Sequence, residues 1–259
     1  MSARTDPAEH DRLARLVADA GSVVALTGAG ISVPSGIPDF RTPVTGLWAN
    51  VNPMEVAHVD VWRADPVRFW SFYGDRFARL QGIEPNDAHR ALVALERRGR
   101  LDAVLTQNID TLHARAGSTD VVELHGSIAG CHCPDCGGRA PLREVLGLID
   151  AADDGVPRCP ACGGVLKPDV VLFGDLLPDV AVARAETAAR GADLLLCIGS
   201  SLEVWPVAGL PEQTLRAGGR LAIVTASTTP YDDHADVRLG GDVVDELQGL
   251  VEALDRLAA

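Results

Sequence analysis

The chain has 259 residues, 47% of them apolar and 23% charged, with a formal net charge of −13. This is material for one large domain, or one domain with an insertion. The acidic balance, with no cluster of Lys or Arg, argues against nucleic acid or anionic membrane as partner. The longest apolar run, 194–198, is too short to span a bilayer. Residues 1–15 are polar and carry no apolar signal core, so a cytosolic address is expected.

Residues 6–20 follow a helical apolar pattern (Leu13, Leu16, Val17, Ala20) and stop at Gly21, a natural C-cap. The run 23–26 is wholly apolar, as a buried parallel strand requires. Gly28 and Gly30 follow directly, where a missing Cβ lets backbone turn tightly against a phosphate. A plain dinucleotide fingerprint would open a helix on a third small residue; here Val33-Pro34 intervenes. Pro34, Gly36 and Pro38 shape a loop that ends on Asp39, Phe40 and Arg41.

Residues 42–82 are less regular until Asp65-Pro66, a cap followed by proline at the first helical position. Trp70, Tyr73, Phe77 and Leu80 then form one helical stripe. A helix is expected over 87–98, a strand over 101–105 and a short helix over 111–116. A strand over 121–124 leads into His125-Gly126. Residues 131–168 are rich in Gly, Pro and Cys and read as an inserted module. Strand character returns at 170–173, followed by a helix over 180–190 and a strand over 193–198 that opens on Gly199, Ser200 and Ser201. A last strand is expected at 221–224 and a closing helix at 243–257. Strands alternating with helices imply a parallel sheet with right-handed crossovers, and ligands bind at the carboxyl ends of such strands.

Three strand ends carry polar residues. After the first come Thr27 and the glycines; after the second, Thr106, Gln107, Asn108 and Asp110; after a later one, Gly199–201. Asn and Asp in such places are often plain turn formers. His125 stands at a further strand end, and histidine is the side chain suited to take a proton near neutral pH. Two matching knuckles, Cys133-Pro-Asp-Cys136-Gly-Gly and Cys159-Pro-Ala-Cys162-Gly-Gly, offer four thiolates for a closed structural zinc site. Cys131 and His132 lie just outside and are alternative ligands; Cys197 falls in a buried strand and is expected to be inert. Lys167 is the only lysine, which reads as a composition bias toward arginine.

Taken in order, Gly-Ala-Gly-Ile-Ser at 28–32, Ser-Gly-Ile-Pro-Asp-Phe-Arg at 35–41 and Thr-Gln-Asn-Ile-Asp at 106–110 are followed by His125-Gly126 and the two cysteine pairs. Val-Val-x-Phe-Gly at 170–174 and Gly-Ser-Ser-Leu-x-Val-x-Pro at 199–206 complete the set. Together they resemble the sirtuin family. The resemblance implies an α/β fold with a Rossmann-like parallel-sheet domain (1–41, 86–126 and 168–259). Its small domain would be a helical insertion (42–85) and a zinc-ribbon insertion (127–167). It implies removal of acyl groups from protein lysines at the expense of NAD, with one structural Zn2+ per chain. Partners would be acyl-lysine proteins or peptides; a monomer is expected.

By the same resemblance Gly28, Ala29, Gly30 and Ser32 cradle the NAD phosphates, and Asp39, Phe40 and Arg41 belong to a loop closing over the cofactor. Gln107, Asn108 and Asp110 line the nicotinamide end, Asp110 through the carboxamide and Asn108 near the ribose. His125 is the general base on a ribose hydroxyl. Gly199, Ser200 and Ser201 contact the adenosine side. Thr225 and Ser227 stand where the family usually has Asn. Val170, Val171 and Phe173 pair with the substrate backbone as an added strand. Products are free lysine, nicotinamide and O-acyl-ADP-ribose. Ala57 with the pair Tyr73 and Arg76 matches a subclass that removes succinyl, malonyl or glutaryl groups, and Tyr and Arg on one helix face suit a distal carboxylate. The competing view makes Tyr73 a core aromatic and Arg76 a surface charge. Two other functions compete: a mono-ADP-ribosyltransferase on the same scaffold, and a non-catalytic zinc-ribbon scaffold.

Overall fold

The computed structural model describes residues 6–39 and 52–259. Helix α1 (Pro7–Asp19) is capped by the Asp6 carboxylate, which accepts from Ala8 N, with proline at its first position. Strand β1 (Val23–Thr27) runs into a 3-10 turn, Ala29–Ser35. After residue 52 come α2 (Pro53–Val56), α3 (Val59–Ala64), α4 (Pro66–Gln81) and α5 (Asp87–Arg97). Then follow β2 (Ala103–Thr106), α6 (Leu112–Ala116), β3 (Val121–Glu123), β4 (Gly126–His132), β5 (Arg139–Pro141) and α7 (Leu142–Ala151). The chain closes with β6 (Lys167–Val170), α8 (Asp179–Gly191), β7 (Leu194–Ile198), α9 (Leu210–Arg216), β8 (Arg220–Val224), β9 (Val237–Leu239) and α10 (Val243–Ala258). Among the described residues no helix is long and apolar enough to cross a membrane.

Six strands form one parallel sheet in the order β3-β2-β1-β7-β8-β9. The chain builds outward from β1 on one side and then, from β7, on the other, so the strand order reverses between β1 and β7. Ligands of open parallel sheets bind outside the carboxyl ends at such a reversal. The apolar runs have a simple cause. Val23 and Ala25 face a core with Leu13, Val17, Leu92 and Leu250, while Val24 and Leu26 face another with Ala185, Ala189 and Leu210. A strand buried on both faces reads as continuous apolar sequence. Cys197 lies in the second of these cores, 1% exposed.

The expected strand at 170–173 is corrected. The strand is β6, it ends at Val170, and it pairs antiparallel with β4 in a separate three-stranded sheet, β5-β4-β6. Beyond Val170 the amides bind elsewhere: Val171 N to His125 O, Leu172 N to Asp175 Oδ2 and Phe173 N to Ala57 O. A third core joins this small sheet to the helical segment through Phe69, Trp70, Tyr73, Phe77, Val145 and Leu172. Helices α7 and α9 and strand β9 complete the fold where the sequence reading had no element.

The β1 and β7 turns touch. A Cβ on Gly30 would lie 2.7 Å from Gly199 Cα, and one on Gly199, whose φ is +60°, would lie 2.3 Å from Ile31 N. Gly218 also has a positive φ, +91°, but its Cβ would meet open space. Gly218→Ala is expected to cost about 1–2 kcal/mol, the left-handed penalty alone. Gly199→Ala is expected to cost at least about 2 kcal/mol more, because backbone must move. Urea midpoints measure both, and equal losses would contradict the contact.

Candidate active site

Four strand ends converge. Gly28 N donates to Ile198 O (3.0 Å) and Gly30 N to Gly199 O (2.8 Å), locking the first turn of the 3-10 segment against the β7 turn. After β2, Gln107 spans the site. Its backbone N–H donates to Thr27 O (3.0 Å), its side-chain amide to Ser200 Oγ (2.9 Å), and its carbonyl lies 2.9 Å from His125 Nδ1. Asn108 Nδ2 donates to Gly28 O (3.1 Å) and Ser32 Oγ (3.2 Å). Ser32 Oγ donates to Asp110 Oδ2 (2.7 Å), and Leu112 N to Asp110 Oδ1 (2.9 Å). Ser32, Asn108 and Asp110 are all buried.

The bond to Gln107 O sets the histidine's tautomer. A carbonyl can only accept, so His125 Nδ1 carries the hydrogen and Nε2 keeps its lone pair. Burial lowers the His125 pKa from 6.5, and the Gln107 bond raises it in part. The neutral, proton-accepting form is therefore favoured. Burial pushes the Asp110 carboxyl up, against the Leu112 N–H and the Ser32 hydroxyl, which pull it down.

Behind these residues lies a buried polar chain that the sequence reading did not single out. Thr27 Oγ1 donates to Thr106 Oγ1 (2.8 Å), which also accepts Asn108 N (3.0 Å). His113 Nε2, 2.9 Å from Thr27 Oγ1, supplies the hydrogen on the other side. The His113 ring meets His89 edge-on at 4.9 Å, and both are buried. Among the described residues both ring nitrogens of His89 and Nδ1 of His113 have no partner. Burial is the main cause that pushes His89 down to about 4 and His113 to about 3; Arg90 adds to the first shift and His89 to the second. Only their place inside the fold distinguishes them from ordinary helix residues, so no local pattern could have marked them.

The remaining expected positions fall as follows. Gly28 is buried, Ala29 and Gly30 half-buried, and Asp39 closes the first described segment. Phe40 and Arg41 lie outside the described residues. Gly199 and Ser201 are half-buried beside the buried Ser200. Buried Thr225 and exposed Ser227 follow β8 with their hydroxyls 3.2 Å apart. The crevice thus offers a glycine-lined backbone approach, a helical-turn start, buried amide and carboxylate groups and a basic imidazole. That donor set fits a dinucleotide.

Ala57 (3% exposed) and Tyr73 share the third core with Val170, and half-buried Ile109 packs against it. Tyr73 tilts against Phe69 (4.8 Å) and stacks on Phe77 (5.0 Å), and burial raises its hydroxyl pKa while Arg76 opposes that. Arg76 lies over the Phe72 ring (3.6 Å) and donates to Phe72 O (2.6 Å). Among the described residues it has no carboxylate partner. Val171 is half-buried and Phe173 exposed, and among the described residues no donor reaches Val171 O.

The sulfurs of Cys133, Cys136, Cys159 and Cys162 lie within 4.8 Å of one another. Two of the separations are 3.4 Å (Cys133 to Cys162) and 3.6 Å (Cys136 to Cys159). Tetrahedral zinc with sulfur at about 2.3 Å needs sulfurs about 3.8 Å apart, so the set suits a structural zinc ion. The knuckles repeat each other: Gly137 N donates to Cys133 O and Gly163 N to Cys159 O, both at 2.8 Å. Cys131 and His132 are not among the four. Cys131 is buried in the third core, and His132 Nδ1 bonds Asp169 (2.6 Å).

The sequence profile of the Sir2 family matches residues 28–206. An "NAD-dependent protein deacetylase 1" of Pyrobaculum aerophilum is 42% identical over 246 residues, 95% of each chain. An "NAD-dependent protein deacylase Sir2" of Mycolicibacterium smegmatis is 42% identical over 238 residues, 91% of this chain and 97% of that one. Among solved structures, a "Sir2-p53 peptide-NAD+" complex has a TM-score of 0.87 at 37% identity, covering 96% of this chain and 98% of that one. With the strand-end site and the four cysteines in place, the chain belongs to the Sir2 family, the sirtuins.

The two buried histidines make the protein acid-sensitive. Unfolded histidine binds a proton below about pH 6.5, whereas His89 and His113 resist until about 4 and 3. Between those limits the unfolded chain holds more protons, so stability falls as pH falls. The expected loss from pH 7 to 5 is about 2 kcal/mol per histidine. Urea unfolding at the two pH values measures it, and His113→Gln should shrink the difference. Equal stability at pH 7 and 5 would contradict the buried neutral pair.

Proposed function

We propose that this sirtuin is an NAD-dependent protein-lysine deacylase that accepts acidic acyl groups, succinyl or malonyl, as well as acetyl. The observation that carries the second part is Arg76. Arg76 is half-buried, lies over the Phe72 ring, is near enough to Tyr73 to act on it electrostatically, and has no carboxylate partner among the described residues. A cation on an otherwise apolar aromatic wall favours a carboxylate-ended acyl chain over a neutral one.

NAD, when bound, supplies an ADP-ribosyl group on a nicotinamide leaving group. The chain's residues have separable tasks around it. Gly28, Ala29, Gly30 and Ser32 give the phosphates close backbone approach, and Gly199, Ser200 and Ser201 face the adenosine side. Thr225 and Ser227 offer hydroxyls to the ribose there. Asp39, with Phe40 and Arg41 beyond it, borders the reacting end. Gln107 holds the His125 ring and Ser200 in register. Asp110 faces the carboxamide and Asn108 the adjoining ribose, both held from behind by Ser32 and Gly28. His125 Nε2 takes the ribose hydroxyl proton. Val171 O, without a donor among the described residues, accepts from the substrate backbone as part of an added strand, flanked by Val170 and by Phe173. Cys133, Cys136, Cys159 and Cys162 hold zinc away from the chemistry.

The test compares kcat/KM on matched acetyl-, malonyl- and succinyl-lysine peptides for the wild type and Arg76→Met. Desuccinylation is expected to fall at least about 100-fold, the loss of a charge-assisted pair of about 3 kcal/mol, with deacetylation within about threefold. A parallel fall in both, or a wild type that ignores succinyl-lysine, would refute the acidic-acyl assignment.

A further inference from the structure

Lys167 is the one lysine among 23 Lys and Arg residues. It opens β6 and points back over the segment that follows. Its Nζ donates to Val170 O (3.1 Å) and pairs with Asp175 Oδ2 (2.8 Å). Both side chains are mostly enclosed, Lys167 12% and Asp175 20% exposed. The same Asp175 oxygen accepts Leu172 N (3.1 Å), and Asp175 N returns to Leu172 O (2.9 Å). The ammonium therefore closes a ring around residues 170–175. Outside the ring, Val171 N is tied to His125 O (2.8 Å), and Phe173 to Ala57 and Val59. Within it, Val171 O is left without a donor among the described residues.

From this we infer that Lys167 is a positioning residue for acyl-lysine binding. The Lys167–Asp175 pair holds the 170–175 turn so that Val171 O stands open toward the substrate amide. This rests on the deacylase reading above. The use of lysine in an arginine-rich chain has a physical reason. A compact ammonium can serve a carboxylate and a carbonyl inside one tight turn, where a planar guanidinium fork needs more room. The pair is enclosed, so removing one partner strands the other's charge and frees the turn. On the reading above NAD is held by the strand-end turns, and the bonds that close the ring, through Val170, Leu172 and Asp175, involve none of them.

Steady-state kinetics on the full chain, varying peptide and NAD separately, tests this with Lys167→Gln, Lys167→Arg and Asp175→Asn. Lys167→Gln and Asp175→Asn are each expected to raise the acyl-peptide KM roughly tenfold, with the NAD KM within about twofold. The double variant should be no worse than either single one, as for partners in one pair. Lys167→Arg, which keeps the charge but not the compact head, should recover only part of the loss. Thermal melts of the variants check folding; if Lys167→Gln does not fold, Asp175→Asn and Lys167→Arg still decide the matter. Unchanged peptide KM, or equal rises in both KM values, overturns the inference. A wild type that does not deacylate at all overturns the deacylase reading instead, and the two failures are thereby distinguished.

Discussion

Everything at the site depends on how closely the ends of β1 and β7 approach. Gly28, Gly30 and Gly199 meet backbone to backbone, at separations where a Cβ on any of them would collide. The contact shapes the crevice at the reversal of strand order and places Gly28 O where Asn108 can reach it. It also brings Ser200 within reach of Gln107, and Gln107 in turn orients His125. The geometry of the crevice is thus inherited from the sheet: Gly28, Gln107, Asn108, His125 and Ser200 follow strand ends, and neighbouring strands register those ends to one another.

The electrostatic design separates a neutral interior from local charges at the mouth. Behind the site run Thr27, Thr106 and His113, hydroxyls and a neutral imidazole that hold Asn108 without adding charge. In a low-dielectric setting such a chain is firm when satisfied and costly where it is not, which is why His89 and His113 stay unprotonated. Outside, a net charge of −13 gives no long-range attraction for an anionic acyl chain. Local charge is a separate matter: Arg76 lies over the Phe72 ring with no carboxylate partner among the described residues.

Much of this was legible in the sequence because it was local. The run 23–26 is apolar throughout because alternate residues enter two different cores, and the knuckle cysteines carry their own spacing. Glycines 28, 30 and 199 were readable as turns, but Gly199 was not readable as the partner of the other two, since it lies about 170 residues further along the chain. The strand placed at 170–173 shows the limit of composition. Those residues are apolar because Val170 and Leu172 enter the third core, whereas their amides are captured by His125, Asp175 and Ala57. Helix α7 was hidden inside a Gly-, Pro- and Cys-rich frame, although Leu142 and Val145 give it a buried face. His89 and His113 are unremarkable on their own helices, and only the packing of α5 against α6 makes them a pair. Of the two readings the sequence offers for Tyr73, its packing is that of a core aromatic, tilted against Phe69 and stacked on Phe77, with Arg76 near enough to act on it electrostatically.

The most direct test weighs the products by mass spectrometry after incubation with NAD and a succinyl-lysine or acetyl-lysine peptide. The account predicts free lysine peptide, nicotinamide and O-acyl-ADP-ribose in equal amounts, all abolished in His125→Tyr with the fold intact. ADP-ribose left on protein with the acyl group still on lysine, or full turnover in the His125 variant, would contradict it.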